Sequence, residues 1–232
     1  MKQIQYDGFE LEHFDSAFNF RKYQISLIKD YLYGSLLEVG AGKGGLAVNY
    51  INLLDDVTLI EPDKNLYNFL KKKFKKKFKK KLSIKNQSIK KVKNKFDVVI
   101  YFDVLEHIKK DFKEIEIAKK RLNKNGYLIF SVPAFQSFYS DFDKSVGHHK
   151  RYNKNDFLKF SKTSNLQIEK LIYYDSIGFL FLLLNKLFSL KQSNLKNKIF
   201  LWNLLIPLSK ILDFLLFNFI GKSLLCVFKK KK

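Results

Sequence analysis

The sequence contains few of the residues on which several classes of protein depend. Cys226 is the only cysteine among 232 residues, so no disulfide can form within the chain, as is typical of a reducing cytoplasm. The four histidines and this cysteine never fall at the spacing of a zinc site, so the sequence predicts no metal centre. No apolar run opens the chain, and no stretch offers the roughly 18 uninterrupted apolar residues of a spanning helix. We therefore expect neither a signal peptide nor a simple membrane-spanning helix.

Arginine is also scarce, although the chain is strongly basic. Lysine and arginine together number 44 against 22 acidic residues, a formal net charge of +22, yet only Arg21, Arg121 and Arg151 are arginines. Proteins that read phosphates or bases specifically favour arginine, because its planar guanidinium binds bidentately. A lysine-dominated excess gives a diffuse positive field instead. Nucleic acid is therefore not the expected partner.

The densest lysine run lies at residues 71–81, where nine of eleven residues are lysine. Apolar residues recur at every fourth position through this region, which is the spacing of one face of a helix. The pattern predicts a solvated helix with a buried stripe, and a patch that binds nucleic acid or lipid headgroups is the alternative. The stripe consists of Leu66, Leu70, Phe74, Phe78 and Leu82.

Strand and helix patterns alternate along the first two thirds of the chain. Short apolar, β-branched runs between helical patterns indicate an α/β protein with a doubly wound sheet covered on both faces. An aromatic and polar segment, residues 133–153, interrupts the alternation and is typical of a functional loop. The predicted strands are 35–39, 57–61, 82–86, 96–101, 126–132, 167–174 and 223–228, and the helices lie near 14–32, 44–54, 63–80, 105–122 and 154–163.

A glycine-rich turn, LLEVGAGKGG, follows the first predicted strand. Gly40, Gly42 and Gly44 let the backbone turn tightly and let a ligand approach it, and the helix beyond offers N–H groups. Glu61 ends the second strand, where a carboxylate can accept hydrogen bonds from the ribose of a nicotinamide dinucleotide or of S-adenosylmethionine. Glu38 favours the latter, since it can accept from a cationic amine. The alternative for both glutamates is a structural carboxylate at a strand end.

Four segments, EVGAGKG, LIEPD, FDVVIYFDVLEHI and LNKNGYLIFSVPA, resemble in order and spacing the motifs of class I S-adenosylmethionine-dependent methyltransferases. The resemblance implies a Rossmann-like, seven-stranded sheet of order 3-2-1-4-5-7-6 with an antiparallel last strand. S-adenosyl-L-methionine would cross the C-terminal ends of strands one to four, and Glu106 and His107 would be mainly structural. The implied cofactor contacts are Glu38, Gly40, Gly42, Gly44, Glu61, Pro62, Gln87, Ser88, Phe102 and Asp103.

A second element, DKSVGHHKRY, resembles the D-x-x-x-G-H-x-x-R-Y loop of a subgroup of these enzymes, similar to methyltransferase types 11 and 12. That resemblance suggests surface-polysaccharide or lipid-linked sugar metabolism. A hydroxyl acceptor must lose a proton, and His148 and His149 are the candidate bases because histidine titrates near neutrality. Asp143 would orient one histidine, Arg151 would pair with a substrate carboxylate or phosphate, and Tyr152 would line the pocket. The alternative is that Asp143, Arg151 and Tyr152 brace the loop.

Residues 177–220 are strongly apolar, and the resemblance places them as an insertion before the last strand. They are too apolar for ordinary surface helices, yet polar residues interrupt them and Pro207 predicts a kink or a break. Such a segment suits either a cap over the substrate cleft or an in-plane anchor, to which lysines would add attraction for an anionic leaflet. The sequence thus predicts a cytoplasmic protein, with peripheral association at the cytoplasmic membrane face as a hypothesis.

These features together predict one methyltransferase domain over residues 1–232. Its function would be methyl transfer to a small-molecule, saccharide or lipid-linked acceptor, most simply forming an O-methyl product. The alternatives are an RNA methyltransferase, a nicotinamide oxidoreductase, and a non-catalytic protein that binds a membrane surface. The expected parts are an N-terminal helical segment (1–34), a cofactor-binding core (35–134), the substrate loop with its helix and strand (135–176), the insertion (177–220) and the last strand (222–229).

Overall fold

The computed structural model describes residues 17–74, 81–188 and 195–231. Its strands are β1 (Ser35–Val39), β2 (Asp56–Ile60), β3 (Lys81–Lys85), β4 (Phe96–Phe102), β5 (Leu122–Pro133), β6 (Leu166–Tyr174) and β7 (Ser223–Lys230). They form one sheet in the order β3-β2-β1-β4-β5-β7-β6, which confirms the predicted order. The first five strands are parallel, and β7 runs antiparallel to both of its neighbours.

The helices cover both faces of this sheet, and the sheet separates two apolar cores. One core joins Leu36 of β1 to the N-terminal helix and the insertion, and the other joins Leu37 to the helices that follow β4 and the loop. Alternate residues of one strand therefore face opposite layers, as a buried parallel strand requires. The helices are α1 (Phe18–Ile28), α2 (Lys64–Phe74), α3 (Asp111–Lys120), α4 (Asp141–Ser145), α5 (Lys154–Ser164), α6 (Ser176–Phe188), α7 (Leu195–Leu204) and α8 (Ile206–Leu215).

The lysine-rich helix α2 is a solvated helix with a buried stripe, as predicted. Asp63 caps its start, because Oδ1 accepts hydrogen bonds from the N–H groups of Asn65 and Leu66. Leu70 and Phe74 are buried, whereas Lys71 and Lys72 are exposed. Lys71 and Lys72 therefore face water, whereas Lys73 is half-buried and donates to the Lys43 carbonyl at 2.7 Å.

Three boundaries differ from the sequence predictions. Leu82 belongs to β3, so its place in the helical stripe is wrong, and Phe78 lies outside the described residues. The helix predicted at 105–122 is divided into a 3₁₀ turn, Leu105–His107, and α3. The N-terminal helix predicted near 14–32 ends earlier, because α1 stops at Ile28 and a 3₁₀ turn follows at Lys29–Tyr31.

The helix predicted at 44–54 is wrong, since this segment forms 3₁₀ turns at Ala47–Asn49 and Ile51–Leu53. The Asn49 side-chain amide donates to the Gly45 carbonyl at 2.9 Å and so takes the acceptor of an α-helical bond. Tyr50 then leaves helical geometry, with φ −127°. No α-helix therefore begins directly after the glycine turn, and the backbone N–H groups there do not have α-helical geometry.

The insertion is fixed to the domain by the polar residues that interrupt its apolar run. Asp213 is fully buried and accepts hydrogen bonds from the Tyr23 hydroxyl at 2.7 Å and the Ser176 N–H at 2.8 Å. The Asn203 side chain accepts from the Phe20 N–H at 3.1 Å. These contacts join α7 and α8 to α1 and to the start of α6.

A second buried carboxylate, Asp175, closes the same junction. It accepts from the Trp202 indole N–H at 2.9 Å and the Ser209 hydroxyl at 3.1 Å, and the Lys222 Nζ lies 3.7 Å away. The predicted break at Pro207 is confirmed, because α7 ends at Leu204 and the proline lies in the first turn of α8. Among the described residues, no helix is both long enough and apolar enough to cross a membrane.

Candidate active site

The candidate site lies where the strand order reverses, between β1 and β4. In an open parallel sheet the connections diverge at such a point and leave a crevice at the carboxyl ends of the strands. The glycine turn follows β1, Glu61 follows β2, and Asp103 follows β4. Because these strands are parallel, all three features lie at one edge of the sheet.

The glycine turn has a backbone conformation that other residues rarely adopt. Gly40, Gly42 and Gly44 have φ values of +71°, +53° and +74°. A Cβ at Gly40 would lie 2.7 Å from the Val104 side chain, and a Cβ at Gly44 would lie 2.5 Å from the Phe74 ring. Both left-handed geometry and close packing therefore require glycine here.

Glu61 connects this turn to the end of β2. Its side chain is 5% exposed, and its two oxygens accept hydrogen bonds from the N–H groups of Gly42 and Asp63, each at 2.9 Å. Burial raises the pKa of Glu61, and the two backbone hydrogen bonds oppose that rise. A carboxylate has about four acceptor positions, so about two remain for ligand hydroxyls.

Asn86 holds the neighbouring strand end in place and was missed by sequence reasoning. Its amide donates to the carbonyls of Glu61 at 2.8 Å and Pro62 at 3.0 Å, which connects the end of β3 to the end of β2. An amide side chain directly after a strand was the signal available in the sequence. It indicates that the edge near Gln87 is built by side chain to backbone bonds.

Glu38 lies within β1 and is buried, with 3% of its surface exposed. It accepts a hydrogen bond from the Tyr50 hydroxyl, which is itself fully buried. Burial, together with the Glu38 charge, raises the pKa of Tyr50 well above its ordinary value. This geometry favours the structural alternative for Glu38, and its contact with a cofactor amine stays a prediction.

Asp103 directly follows β4 and has a left-handed conformation, with φ +56°. Its carboxylate forms an ion pair with Arg21 of α1 at 2.9 Å. Sequence reasoning missed Arg21 because α1 lies far from β4 along the chain. The remaining predicted contacts surround this edge: Pro62 is exposed, Gln87 and Ser88 are half-buried after β3, and Phe102 is buried at the end of β4.

Asp143 is the centre of hydrogen bonding in the loop that contacts the residues after β4. It is fully buried and accepts from the Arg151 guanidinium at 2.9 and 3.0 Å and from the Ser140 N–H at 2.9 Å. Its Oδ1 also lies 2.8 Å from His148 Nδ1. Burial favours the neutral acid, but the hydrogen bonds of His148, Arg151 and Ser140 hold the pKa of Asp143 at about 2. Asp143 is therefore a carboxylate, and Nδ1 of His148 carries the proton that it accepts.

His148 brings the loop to the residues after β4. Its Nε2 lies 3.9 Å from Glu106 Oε1, and its ring meets the His107 ring edge to face, with centroids 4.7 Å apart. Burial, with Asp103 adding to it, raises the pKa of Glu106, while burial and His148 lower the pKa of His107 to about 4. Sequence reasoning treated Glu106 and His107 as mainly structural and so missed this cluster. The adjacent acid and imidazole after a buried strand were its signal.

The other candidate residues of the loop occupy different surroundings. His149 is exposed, and its backbone N–H donates to the Glu106 carbonyl at 2.7 Å. Tyr152 is fully buried, with its hydroxyl 3.1 Å from the Leu105 carbonyl and 3.2 Å from Asp111. These contacts, like the pairing of Arg151 with Asp143, favour bracing of the loop. The catalytic roles of His149, Arg151 and Tyr152 stay predictions.

Comparison with known proteins agrees with this geometry. Residues 12–171 match the family model Methyltransf_23, described as a methyltransferase domain. No curated protein matches the sequence significantly. Among solved structures, an S-adenosylmethionine-dependent methyltransferase from Clostridium acetobutylicum is 12% identical, with TM-score 0.59, over 94% of this chain and 92% of its own.

Two further solved structures are similar over 94% of this chain. Phosphoethanolamine N-methyltransferase 2 of Haemonchus contortus, in complex with S-adenosyl-L-methionine, is 13% identical, with TM-score 0.63 over 57% of its own length. Magnesium protoporphyrin IX methyltransferase of Synechocystis, with bound S-adenosylhomocysteine, is 11% identical, with TM-score 0.60 over 84% of its length. At these identities the likeness shows a shared fold.

Proposed function

This chain belongs to the methyltransferase-domain family, and on that premise we propose that it forms an O-methyl product on a small-molecule, saccharide or lipid-linked acceptor. It is a class I S-adenosylmethionine-dependent methyltransferase. The observation that carries the O-methyl proposal is the Asp143–His148 pair beside the end of β4. A hydroxyl acceptor has to lose a proton, and an oriented imidazole can take it.

The cofactor edge fits S-adenosylmethionine through its backbone and its buried carboxylate. The positive φ values of Gly40, Gly42 and Gly44 support close approach of a ligand to the turn. Glu61 has acceptor positions left for the ribose hydroxyls, and Asp103 lies at the end of the crevice where the methionine moiety is proposed. The cofactor supplies an electrophilic methyl group, and the protein supplies alignment, which is where much of the rate enhancement arises.

His148 is the better candidate base of the two adjacent histidines. Asp143 accepts from Nδ1, so the lone pair of a neutral ring lies on Nε2, on the side of Glu106 and the crevice. The Tyr139 hydroxyl donates to the His148 carbonyl at 2.6 Å, and the His148 N–H donates to the Asp143 carbonyl at 2.8 Å. The ring is therefore oriented through both its backbone and its side chain.

The test compares these two histidines. Methyl transfer from labelled S-adenosylmethionine is measured against a panel of hydroxylated small molecules, saccharides and lipid-linked sugars, and cofactor binding is measured by calorimetry with NAD as the control ligand. We expect His148→Ala to lower turnover by about 10²–10⁴-fold with cofactor affinity retained, and His149→Ala to change turnover little. Binding of NAD in place of S-adenosylmethionine would contradict the cofactor assignment. Equal turnover in the His148→Ala variant would exclude its role in proton removal.

A lipid-linked acceptor and membrane contact are supported by the outer surface of the insertion, which we name the outer apolar face. It consists of the exposed apolar residues of α7, α8 and the turn that follows, whereas the anchors Asp175 and Asp213 are buried. Phe214 and Phe217 are each 79% exposed, which is unusual for large apolar side chains. The other exposed members are Phe200, Leu201, Leu204, Leu208, Ile211, Leu215, Leu216, Phe219 and Ile220.

The charge around this face is complementary to an anionic bilayer. Lys196 and Lys210 are exposed on the same helices, and Lys22 lines a shallow pocket together with Lys210. The single acidic residue between 177 and 220 is Asp213, which is buried. Each lysine near an anionic surface contributes about 1 kcal/mol of attraction. The proposed location is thus the interface of a membrane, with the helices in its plane.

Liposome flotation tests this part of the proposal. The protein should float with vesicles that contain phosphatidylglycerol at low salt and should persist in part at high salt, because apolar burial is not screened. The Phe214→Ser/Phe217→Ser variant should lose flotation. The matched control is Phe69→Ser in α2, which removes a phenylalanine that is 47% exposed outside the insertion. If the unmodified protein sediments with every lipid composition, the membrane proposal is wrong and methyl transfer is unaffected by that result.

A further inference from the structure

Two imidazoles and one carboxylate come together at the acceptor side of the crevice, from two separate segments of the chain. We propose that Glu106, His107 and His148 bind a divalent transition-metal cation. The position of the site rests on geometry alone, and the role of the cation rests on the proposed methyl transfer. Zinc-type spacing is absent from the sequence because the ligands come from the turn after β4 and from the loop before α5.

The distances are close to those of a coordinated ion. One ligand atom from each of the three residues lies within 4.8 Å of the others, and His148 Nε2 is 3.9 Å from Glu106 Oε1. Two ligand atoms about 2.1 Å from a tetrahedral ion lie about 3.4 Å apart. The His148–Glu106 pair would have to contract by about 0.5 Å, and a pair at the 4.8 Å limit by about 1.4 Å, to reach this separation, which side-chain rotations can supply.

The two rings are oriented by contacts outside the cluster, as metal-binding histidines are. His148 Nδ1 donates to the buried carboxylate of Asp143, which Arg151 holds by two further hydrogen bonds. The His107 ring is hydrogen-bonded to the Gly147 backbone. Such carboxylate–histidine and backbone–histidine contacts fix the ring orientation toward a cation.

Glu106 provides the independent sign of a ligand. Its side chain is 1% exposed, and Oε2 has no hydrogen-bond partner within the described ranges 17–74, 81–188 and 195–231. Buried carboxylate oxygens almost always have a partner, because desolvation without one is costly. A cation between Glu106 and the two rings would supply the missing interaction.

The donor set defines the class of ion and its use. Imidazole and carboxylate ligands suit Zn²⁺, Mn²⁺ or Fe²⁺, and three protein ligands leave coordination positions for acceptor oxygens. A hydroxyl held there would lose its proton to water more readily. Its oxygen would then form the new C–O bond as the C–S bond of the sulfonium breaks, which leaves S-adenosylhomocysteine. In this arrangement His148 acts as a ligand and the cation replaces it in activating the hydroxyl.

Metal titration of the full chain, without cofactor or acceptor, tests the site. After removal of metals by a chelator, Co²⁺ is added and its visible d–d absorption is recorded, and Zn²⁺ binding is measured by calorimetry. We expect one ion per chain and an affinity at least about 10–100-fold weaker in Glu106→Gln, His107→Ala and His148→Ala. His149→Ala is the matched control, since it removes an exposed histidine adjacent to the cluster and should retain metal affinity.

Circular dichroism of each variant separates loss of a ligand from loss of the fold, and Glu106→Gln preserves the shape of the side chain if the histidine variants do not fold. A crystal soaked in Zn²⁺ should give an anomalous peak between the three side chains. Absence of one-to-one binding in the unmodified protein, or equal affinity in the three variants, would overturn the proposal. Full methyl transfer with chelator present would exclude a catalytic role for the cation and leave the proposed function intact. Metal binding without binding of S-adenosylmethionine would support the metal site and contradict the proposed function.

Discussion

The two sides of the crevice are built by different means. The cofactor edge uses backbone geometry and short-range contacts: the glycine turn, and a Glu61 carboxylate that accepts from Gly42 and Asp63. The acceptor side uses ionisable side chains from distant segments: the buried Glu106 from the turn after β4, and the buried Asp143 and half-buried His148 from the loop. Backbone-built binding suits an invariant cofactor, whereas side-chain clusters can change with the acceptor.

The difference extends to how each side contributes to stability. At the cofactor edge the strands would hold the turn in place even if one contact to Glu61 were lost. On the acceptor side Asp143 is buried with its charge, so the loop depends on its hydrogen-bond partners. Substitutions at the cofactor edge should therefore mainly weaken cofactor binding, whereas substitutions on the acceptor side should mainly lower the free energy of unfolding.

The largest expected effect is the loss of the Arg151–Asp143 pair. Arg151→Met removes a bidentate partner and leaves a buried carboxylate with fewer donors, so unfolding free energy should fall by about 3–5 kcal/mol, measured by urea denaturation. The double variant Arg151→Met/Asp143→Leu should recover part of this loss, because no buried charge is left unpaired. A loss below about 1 kcal/mol in the single variant would show that the pair is not a brace and would favour a substrate contact for Arg151.

A smaller loss is expected in the glycine turn. Gly44→Ala forces a side chain into left-handed geometry, which costs about 1–2 kcal/mol, and places its Cβ against Phe74, which adds about 1–3 kcal/mol. Thermal unfolding measures the combined effect. The neighbouring Gly45→Ala is the control, since Gly45 does not have a positive φ. Equal effects at the two positions would contradict the structural reason given for Gly44.

The strand order of the fold, the glycine turn and the position of Glu61 were predictable because their signals are local. A strand followed by glycines and a second strand ending in Glu61 are short patterns whose meaning does not depend on remote contacts. The segment after Gly44 was predicted wrongly for a local reason as well: the Asn49 amide takes the Gly45 carbonyl. Competition between side chain and backbone is not visible in helical periodicity.

The acceptor side could be predicted only in part. The loop motif predicted that Asp143 orients a histidine, but it could not reveal that the Asp143–His148 pair lies against Glu106 and His107. The ion pair of Arg21 with Asp103 likewise joins two elements that are remote in the chain. In the insertion, Asp213 was taken as an interruption of an apolar run and is instead an anchor to Tyr23. Each of these contacts follows from tertiary packing, which no sequence period encodes.

Glu61 should show the opposite profile to Arg151, with an effect on binding rather than on folding. Glu61→Gln keeps the shape but weakens acceptance from ribose hydroxyls, so S-adenosylmethionine affinity should fall by about 1.5–3 kcal/mol, measured by calorimetry. The single amide oxygen can retain one of the two backbone hydrogen bonds, from Gly42 or from Asp63, so unfolding free energy should fall, but by less than in Arg151→Met. Unchanged affinity with an intact fold would remove Glu61 from the cofactor site.

The smallest expected effect tests whether Tyr152 braces the loop or takes part in the reaction. Its hydroxyl lies against the Leu105 carbonyl and Asp111, and Lys150 is paired with the same Asp111 at 2.6 Å. Tyr152→Phe removes the hydroxyl and keeps the ring, while Asp111 retains Lys150, so unfolding free energy should fall by about 0.5–1.5 kcal/mol. If Tyr152 only braces the loop, turnover of the folded variant should stay within about threefold of the unmodified enzyme. That limit corresponds to a change of about 0.6 kcal/mol in the activation free energy. If turnover falls by orders of magnitude while stability is unchanged, Tyr152 belongs with His148 in the reaction and the acceptor side extends deeper than its buried hydroxyl indicates.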